Sequence, residues 1–182
     1  MKIPLDAIKA LREKTGAPIG DVKAALEASG GEEAKAIGIL RKMGFEAAQK
    51  RKGRATAAGR IESYIHYDGR IGVLVEVNCE TDFVARLPEF QQFCKDLAMQ
   101  VASQNPLCVS KEDLLPRQLE EAKQLGKTPE QVASEACLLE QPFIKDQGQT
   151  IAQYLASLVA KTGEHIVIRR FMRFALGEKP NV

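Results

Sequence analysis

Residues 71–77 carry apolar side chains at every second position (Ile71, Val73, Val75, Val77), and the pattern stops abruptly at Asn78. A period of two matches a strand, whose successive side chains point to opposite faces, and does not match a helix. The stretch before it, Ile61, Ser63 and Ile65 against Glu62, Tyr64 and His66, has the same period, and Asp68-Gly69 between the two is a hairpin-turn signal. An antiparallel hairpin is therefore expected from Ile61 to Val77. Immediately after it comes Glu80-Thr81-Asp82-Phe83, a charged turn carrying a large aromatic ring at a strand-to-helix junction. A phenylalanine placed there fills either the chain's own core or a gap in a partner. Asp82 reads as an N-cap carboxylate for the helix that follows.

Helical periodicity surrounds this hairpin. Leu5, Ile8 and Leu11 mark a first helix that Gly16-Ala17-Pro18 ends. Asp21 opens a second, with Val22, Ala25 and Leu26 on one face, and Gly30-Gly31 stops it. Glu32 and Glu33 favour the start of a third, where the helix dipole is positive; Ile37, Leu40 and Met43 supply its face, and Gly44 is its expected stop. Residues 1–44 thus form a three-helix domain, below the ~60 residues at which domains commonly stand alone. Residues 45–60 read as a basic linker, with Phe45 folding back onto the three helices. Lys50, Arg51, Lys52 and Arg54 form a solvated helix or a phosphate-binding arm.

Residues 61–182 read as an α+β core. Phe90, Phe93, Leu97 and Val101 mark a long amphipathic helix that Asn105-Pro106 ends, with Cys94 buried on its apolar face. The stretches from Lys111 to Leu125 and from Pro129 to Leu139 are helical in pattern, and Ile151, Leu155, Leu158 and Val159 build another helix ended by Gly163. A final strand runs from His165 to Leu176. The expected fold is α+β: a three-helix N-terminal domain, then an antiparallel three-stranded sheet with helices over one face.

Several classes are disfavoured. The net charge of +2 gives no strong footprint for nucleic acid. No run approaches the ~20 apolar residues needed to cross a bilayer, and the N-terminus lacks an apolar signal core, so a soluble, cytoplasmic protein is expected. Cys79, Cys94, Cys108 and Cys137 are far apart in sequence, with only His66 and His165 to help, which is poor spacing for zinc or for a disulfide framework. Reduced cysteines and no metal are expected. Gly126-Lys127-Thr128 imitates the end of a phosphate-binding loop, but Glu121 stands where that loop needs glycine. A nucleophilic Cys79 with His66 or His165 as base lacks an orienting third group.

The order of residues adds a resemblance. Val75-Glu76-Val77-Asn78-Cys79-Glu80-Thr81-Asp82-Phe83-Val84-Ala85-Arg86 resembles the signature of the elongation factor Ts family, the guanine-nucleotide exchange factors of elongation factor Tu. Arg70-Ile71-Gly72-Val73-Leu74 belongs to the same pattern. So do Leu11-Arg12-Glu13-Lys14-Thr15-Gly16-Ala17 with Asp21-Val22-Lys23, Leu139-Glu140-Gln141-Pro142-Phe143, and Gly163-Glu164-His165-Ile166-Val167-Ile168-Arg169-Arg170-Phe171. These stretches are collinear and span almost the whole chain.

The resemblance implies that the three helices are a ubiquitin-associated-like domain and that the partner is elongation factor Tu. It also implies that the protein binds no cofactor and performs no bond chemistry. Thr81, Asp82, Phe83 and Val84 are implied to disturb the partner's magnesium site. Arg12, Thr15, Ile19, Gly20 and Val22 are implied to dock on its nucleotide domain, and His66 is the candidate for a contact on another domain. Longer members carry two copies of the hairpin-bearing half; one Gly-Arg-Ile-Gly-Val-Leu-Val unit stands here, which implies a short form that pairs into homodimers through the core. The terminal strand is the expected seam, since an unpaired edge templates another copy; alternatively Phe171, Met172 and Phe174 pack on the chain's own helices. The charged stretch between Glu112 and Cys137 is shorter than the helical hairpin usual in the family.

Overall fold

The computed structural model describes residues 3–178; residues 1–2 and 179–182, the outer ends of the first and last expected domains, lie outside the described residues. The chain divides into two compact units. One gathers the chain up to Ala55 together with Leu155–His165, and the other holds Thr56–Tyr154 and the chain from Ile166 onward.

The first unit opens with α1 (Leu5–Thr15), α2 (Ile19–Ala28) and α3 (Glu33–Arg51). Ile8 and Leu11 from α1, Val22, Ala25 and Leu26 from α2, and Ala36 from α3 form its buried cluster, with Ile37 and Leu40 half-buried against it. Gly16 ends α1 in the left-handed region (φ 66°), its N–H donating to the Arg12 carbonyl at 2.7 Å. The second helix starts at Ile19, not Asp21: Pro18 supplies an extended entry residue, and Asp21 falls inside the first turn near the dipole's positive end.

Gly44 does not stop α3. It is buried inside that helix, and a Cβ on it would stand 3.2 Å from the Ala156 carbonyl oxygen. The glycine is there for close approach, so the helix continues to Arg51, whose guanidinium donates to the carbonyls of Ala47 and Gly163. The expected 45–60 linker is accordingly mostly structured: its first part is helix and its last residues are strand. Phe45 stays 38% exposed and is not among the residues of the three-helix cluster.

In the second unit β1 (Ala58–Ile65), β2 (Ile71–Cys79) and β5 (Ile166–Ala175) form an antiparallel sheet in the order β1-β2-β5. Helix α5 (Pro88–Gln104) packs on one face, burying Phe90, Phe93, Cys94, Leu97 and Val101 over Val73, Val75 and Val77. The pairing register decides what the other face carries. Ile61 stands opposite Glu76, Ser63 opposite Leu74 and Ile65 opposite Gly72, while Leu74 and Gly72 face Met172 and Phe174 of β5. Partners directly opposite share a face. The apolar side chains of β1 therefore point away from α5, and Glu62 and Tyr64 half-bury beneath it.

Two short strands were not foreseen: β3 (Pro142–Phe143) and β4 (Asp146–Thr150) make a second hairpin. Its residues are mostly polar, so no apolar period announces it. It is anchored through the buried carboxylate of Asp96, which accepts from Lys145 Nζ at 2.7 Å and from the Tyr154 hydroxyl at 3.0 Å. The charged stretch folds as a 3-10 turn at Lys111–Asp113, α6 (Pro116–Gln124) and α7 (Pro129–Ala136), and a second 3-10 turn covers Leu138–Glu140. Helix α8 (Ile151–Thr162) precedes Gly163.

Gly59 is the backbone position in β1 that only glycine serves. Its φ is 152°, and a Cβ would collide with the Val77 carbonyl oxygen and come within 2.8 Å of Asn78 Cα. Gly59→Ala should therefore lower unfolding stability by about 2–3 kcal/mol. The check is a urea titration showing a lower midpoint at an unchanged slope.

Candidate functional site

The β2 strand ends with Cys79 buried, its thiol donating to the Thr81 carbonyl at 3.1 Å. That contact turns the chain sharply into α4 (Asp82–Ala85), a single helical turn packed against β1, β2 and α5. The N-cap is Thr81 and not Asp82: Thr81 is extended, and its hydroxyl accepts from the Val84 N–H. Asp82 instead occupies the first helical position, where its exposed carboxylate accepts from the Arg86 guanidinium at 2.7 Å. A carboxylate at the first position still meets the favourable end of the turn's dipole.

Within this turn the side chains divide by direction. Val84 is buried and pins α4 to its own unit. Phe83 points the other way and is 79% exposed, which overturns the reading that its ring fills the chain's own core. Leaving a whole ring in water costs roughly 2–3 kcal/mol of unrealised burial, so the ring on this buttressed turn lacks a folding reason within the chain. Leu87 follows, its N–H bonded to the Val84 carbonyl at 3.0 Å, and Pro88 opens α5, so both ends of the turn are held.

The other candidate residues fall into surface and support. In the first unit Arg12 and Gly20 are exposed, and Ile19 is 55% exposed at the start of α2. Thr15 is half-buried, its hydroxyl donating to the Leu11 carbonyl at 2.7 Å. Val22 lies wholly inside the three-helix cluster, so it supports that surface and is not available to a partner. In the second unit His66 is half-buried at the hairpin end, its Nδ1 3.0 Å from the Tyr64 hydroxyl. The exposed Tyr67 ring, which sequence reasoning passed over, lies tilted against it, the ring centroids 4.6 Å apart. Its only sequence signal was an aromatic next to the Asp68-Gly69 turn.

The decoys have structural explanations. Thr128 caps α7 in a reciprocal capping box with Gln131, and Lys127 pairs with Glu135, so Gly126-Lys127-Thr128 is a helix start. Cys79 is buried, with its thiol donating to the Thr81 carbonyl, and burial raises the thiol of its neighbour in the core, Cys94, to about 12. His165 Nδ1 lies 2.9 Å from the Arg54 carbonyl. No group of three or more metal-ligating side chains is present among the described residues, and no helix among them is long and apolar enough to cross a membrane.

Comparison with known proteins finds similar sequences over nearly the full length of the chain. A family model described as Elongation factor TS matches residues 33–131 and 125–178. The chain is 47% identical to elongation factor Ts of Rubrobacter xylanophilus over 97% of its own length and all of that protein's. It is 48% identical to that of Solidesulfovibrio magneticus, over 94% of the chain and 96% of the relative. It is 47% identical to that of Caldanaerobacter subterraneus subsp. tengcongensis, over 97% and 98%. With the family model and these relatives covering most of the sequence, the chain belongs to the elongation factor Ts family, a family of translation elongation factors.

Proposed function

We propose that this protein promotes GDP release from elongation factor Tu, with Phe83 as a wedge. The observation that carries this reading is the exposed ring on a turn held at both ends: Thr81 caps it, Val84 anchors it, and Phe83 projects outward. An apolar ring presented in this way fills a gap between partner helices and holds them apart. Asp82, exposed beside it, perturbs polar contacts around the metal that neutralises the nucleotide's phosphates. Weakening that metal weakens GDP retention. The coupling is reciprocal: factor and nucleotide each lower the other's affinity in the ternary state. The protein needs no cofactor and makes no covalent bond, so it is not an enzyme in that sense. The test is release of labelled GDP from the cognate Tu protein; an off-rate unchanged at saturating factor would refute the reading.

The three-helix cluster serves as the ubiquitin-associated-like docking domain, with Arg12, Ile19 and Gly20 on its surface. Deleting residues 1–44 is a poor test, because the cut falls inside α3 and strips Gly44 from Ala156. Ile19→Ala is cleaner. It should weaken binding to the Tu protein by about 1–2 kcal/mol, roughly tenfold, with an unchanged circular dichroism spectrum. Titration calorimetry reads the affinity, and an unaltered dissociation constant would remove α2 from the interface. The second unit carries the wedge and, on the face of its sheet turned away from α5, a homodimer seam. Action on a translation factor places the protein in the cytoplasm.

A further inference from the structure

Two cysteines that are 29 positions apart in sequence meet at the base of the α6–α7 segment. Cys108 Sγ lies 3.5 Å from Cys137 Sγ and 3.2 and 3.7 Å from the Ser110 and Ala136 carbonyl oxygens, alternative acceptors for its single S–H. Both thiols are free. Their backbones are held together independently of the sulfurs. Cys108 and Cys137 form an isolated parallel β-bridge. Around it, the N–H groups of Leu107 and Cys108 donate to the Ala136 carbonyl, that of Leu138 to Cys108, and that of Leu139 to Val109, at 2.8–3.2 Å. Neighbouring strand positions lie about 4.8 Å apart, inside the Cα separation of roughly 4.4–6.8 Å that a disulfide tolerates. Bond formation then needs only a side-chain rotation.

We propose that Cys108 and Cys137 are a dithiol modification site that closes to an intramolecular disulfide under a hydroperoxide, clamping the segment between them. Cys108 is partly exposed and Cys137 is buried, so the oxidant reaches Cys108 first. Its sulfur attacks the peroxide oxygen, giving a sulfenic acid and an alcohol, or water when the oxidant is hydrogen peroxide. The Cys137 sulfur then displaces water from that sulfenic acid. Overall two thiols lose two electrons and two protons, and the hydroperoxide accepts both. Burial pushes the Cys108 thiol up to about 12 and raises that of Cys137, so the thiolate that attacks the peroxide is scarce near neutrality and closure is slow.

The segment inside the loop has a small core: Ala122, Val132 and Ala136, with Leu114 half-buried against them. Such segments open locally at low cost, and closing a loop of this length removes much of the open state's freedom. The oxidised full-length chain should therefore be cut by trypsin at Arg117, Lys123 and Lys127 about a hundredfold more slowly than the reduced chain. Dithiothreitol should restore the original rate.

The experiment treats the full chain with hydrogen peroxide, blocks remaining thiols with iodoacetamide after denaturation, and maps the unreduced peptides by mass. A Cys108–Cys137 cross-linked peptide with Cys79 and Cys94 alkylated is the expected result. A cross-link between two chains through Cys108, or Cys108 oxidised beyond the sulfenic acid while Cys137 remains alkylatable, would overturn the site. Cys137→Ser keeps the accessible thiol without its partner; it should lose the cross-link and keep rapid proteolysis under peroxide. A cross-linked chain cut as fast as the reduced one, or a Cys137→Ser chain protected by peroxide, would overturn the clamp.

Discussion

Phe83→Ala is expected to slow stimulated GDP release from elongation factor Tu by roughly thirtyfold to a thousandfold, about 2–4 kcal/mol. The magnitude is that of an aromatic hot spot losing its pocket. The same substitution should change folding stability by no more than about 0.5 kcal/mol, because the ring is 79% exposed and its removal opens no cavity. These two expectations separate the readings that the residues alone left open. A ring packed in the chain's own core would give a large stability loss, and slower exchange would follow only from unfolding. Stopped-flow release of a fluorescent GDP analogue, beside a urea titration of the free variant, distinguishes them. Normal exchange by a normally folded Phe83→Ala chain would remove the wedge.

The sequence reveals whatever has a period or a local chemical cause. The alternation Ile71, Val73, Val75, Val77 placed β2, and the spacing of Phe90, Phe93, Leu97 and Val101 placed α5, because a buried face forces its own period on the chain. Asn105-Pro106 and Gly163 ended helices as expected. Gly44 misled because the same residue type serves two ends: a left-handed helix stop, or room for a neighbouring backbone. Only the nearby Ala156 carbonyl tells which. Asp82 misled in a similar way, since Thr81 and Asp82 are both good caps and the capping contact is one position earlier. What involves distant residues was not legible. The Cys108–Cys137 contact joins positions 29 apart, and the β3–β4 hairpin is held by Asp96 from another element. The candidate site was legible chiefly through residue order. The direction of Phe83 and the inward direction of Val22 required the fold.

Replacing Leu74 and Met172 together by glutamate is expected to dissociate the proposed homodimer into a 20.0 kDa monomer, raising the dimer dissociation constant by more than about a thousandfold. The argument begins with register. Leu74 and Met172 are cross-strand partners, Gly72 and Phe174 the next pair, and Ile61 and Ile65 continue the same face across β1. All five large side chains are exposed, from 48% for Leu74 to 67% for Ile65, so Met172 and Phe174 do not pack on the chain's own helices. A contiguous apolar sheet face of this kind is what a second copy covers, with two sheets stacked about 10 Å apart. A two-fold operation brings each residue of the patch against the same patch, so every substitution acts twice. Arg170 and Glu76, paired at 2.7 Å beside Ile61, give that face a polar rim. The variant also separates face from edge. Leu74 lies on the central strand, where pairing through the free edge of β5 would not sense it. Light scattering at micromolar concentration reads the mass, and circular dichroism should be unchanged because both side chains are exposed. A dimer that survives this double substitution but is lost in Val167→Pro would move the seam to the edge of β5. A wild-type chain of 20.0 kDa that still promotes exchange would show that one core unit acts alone.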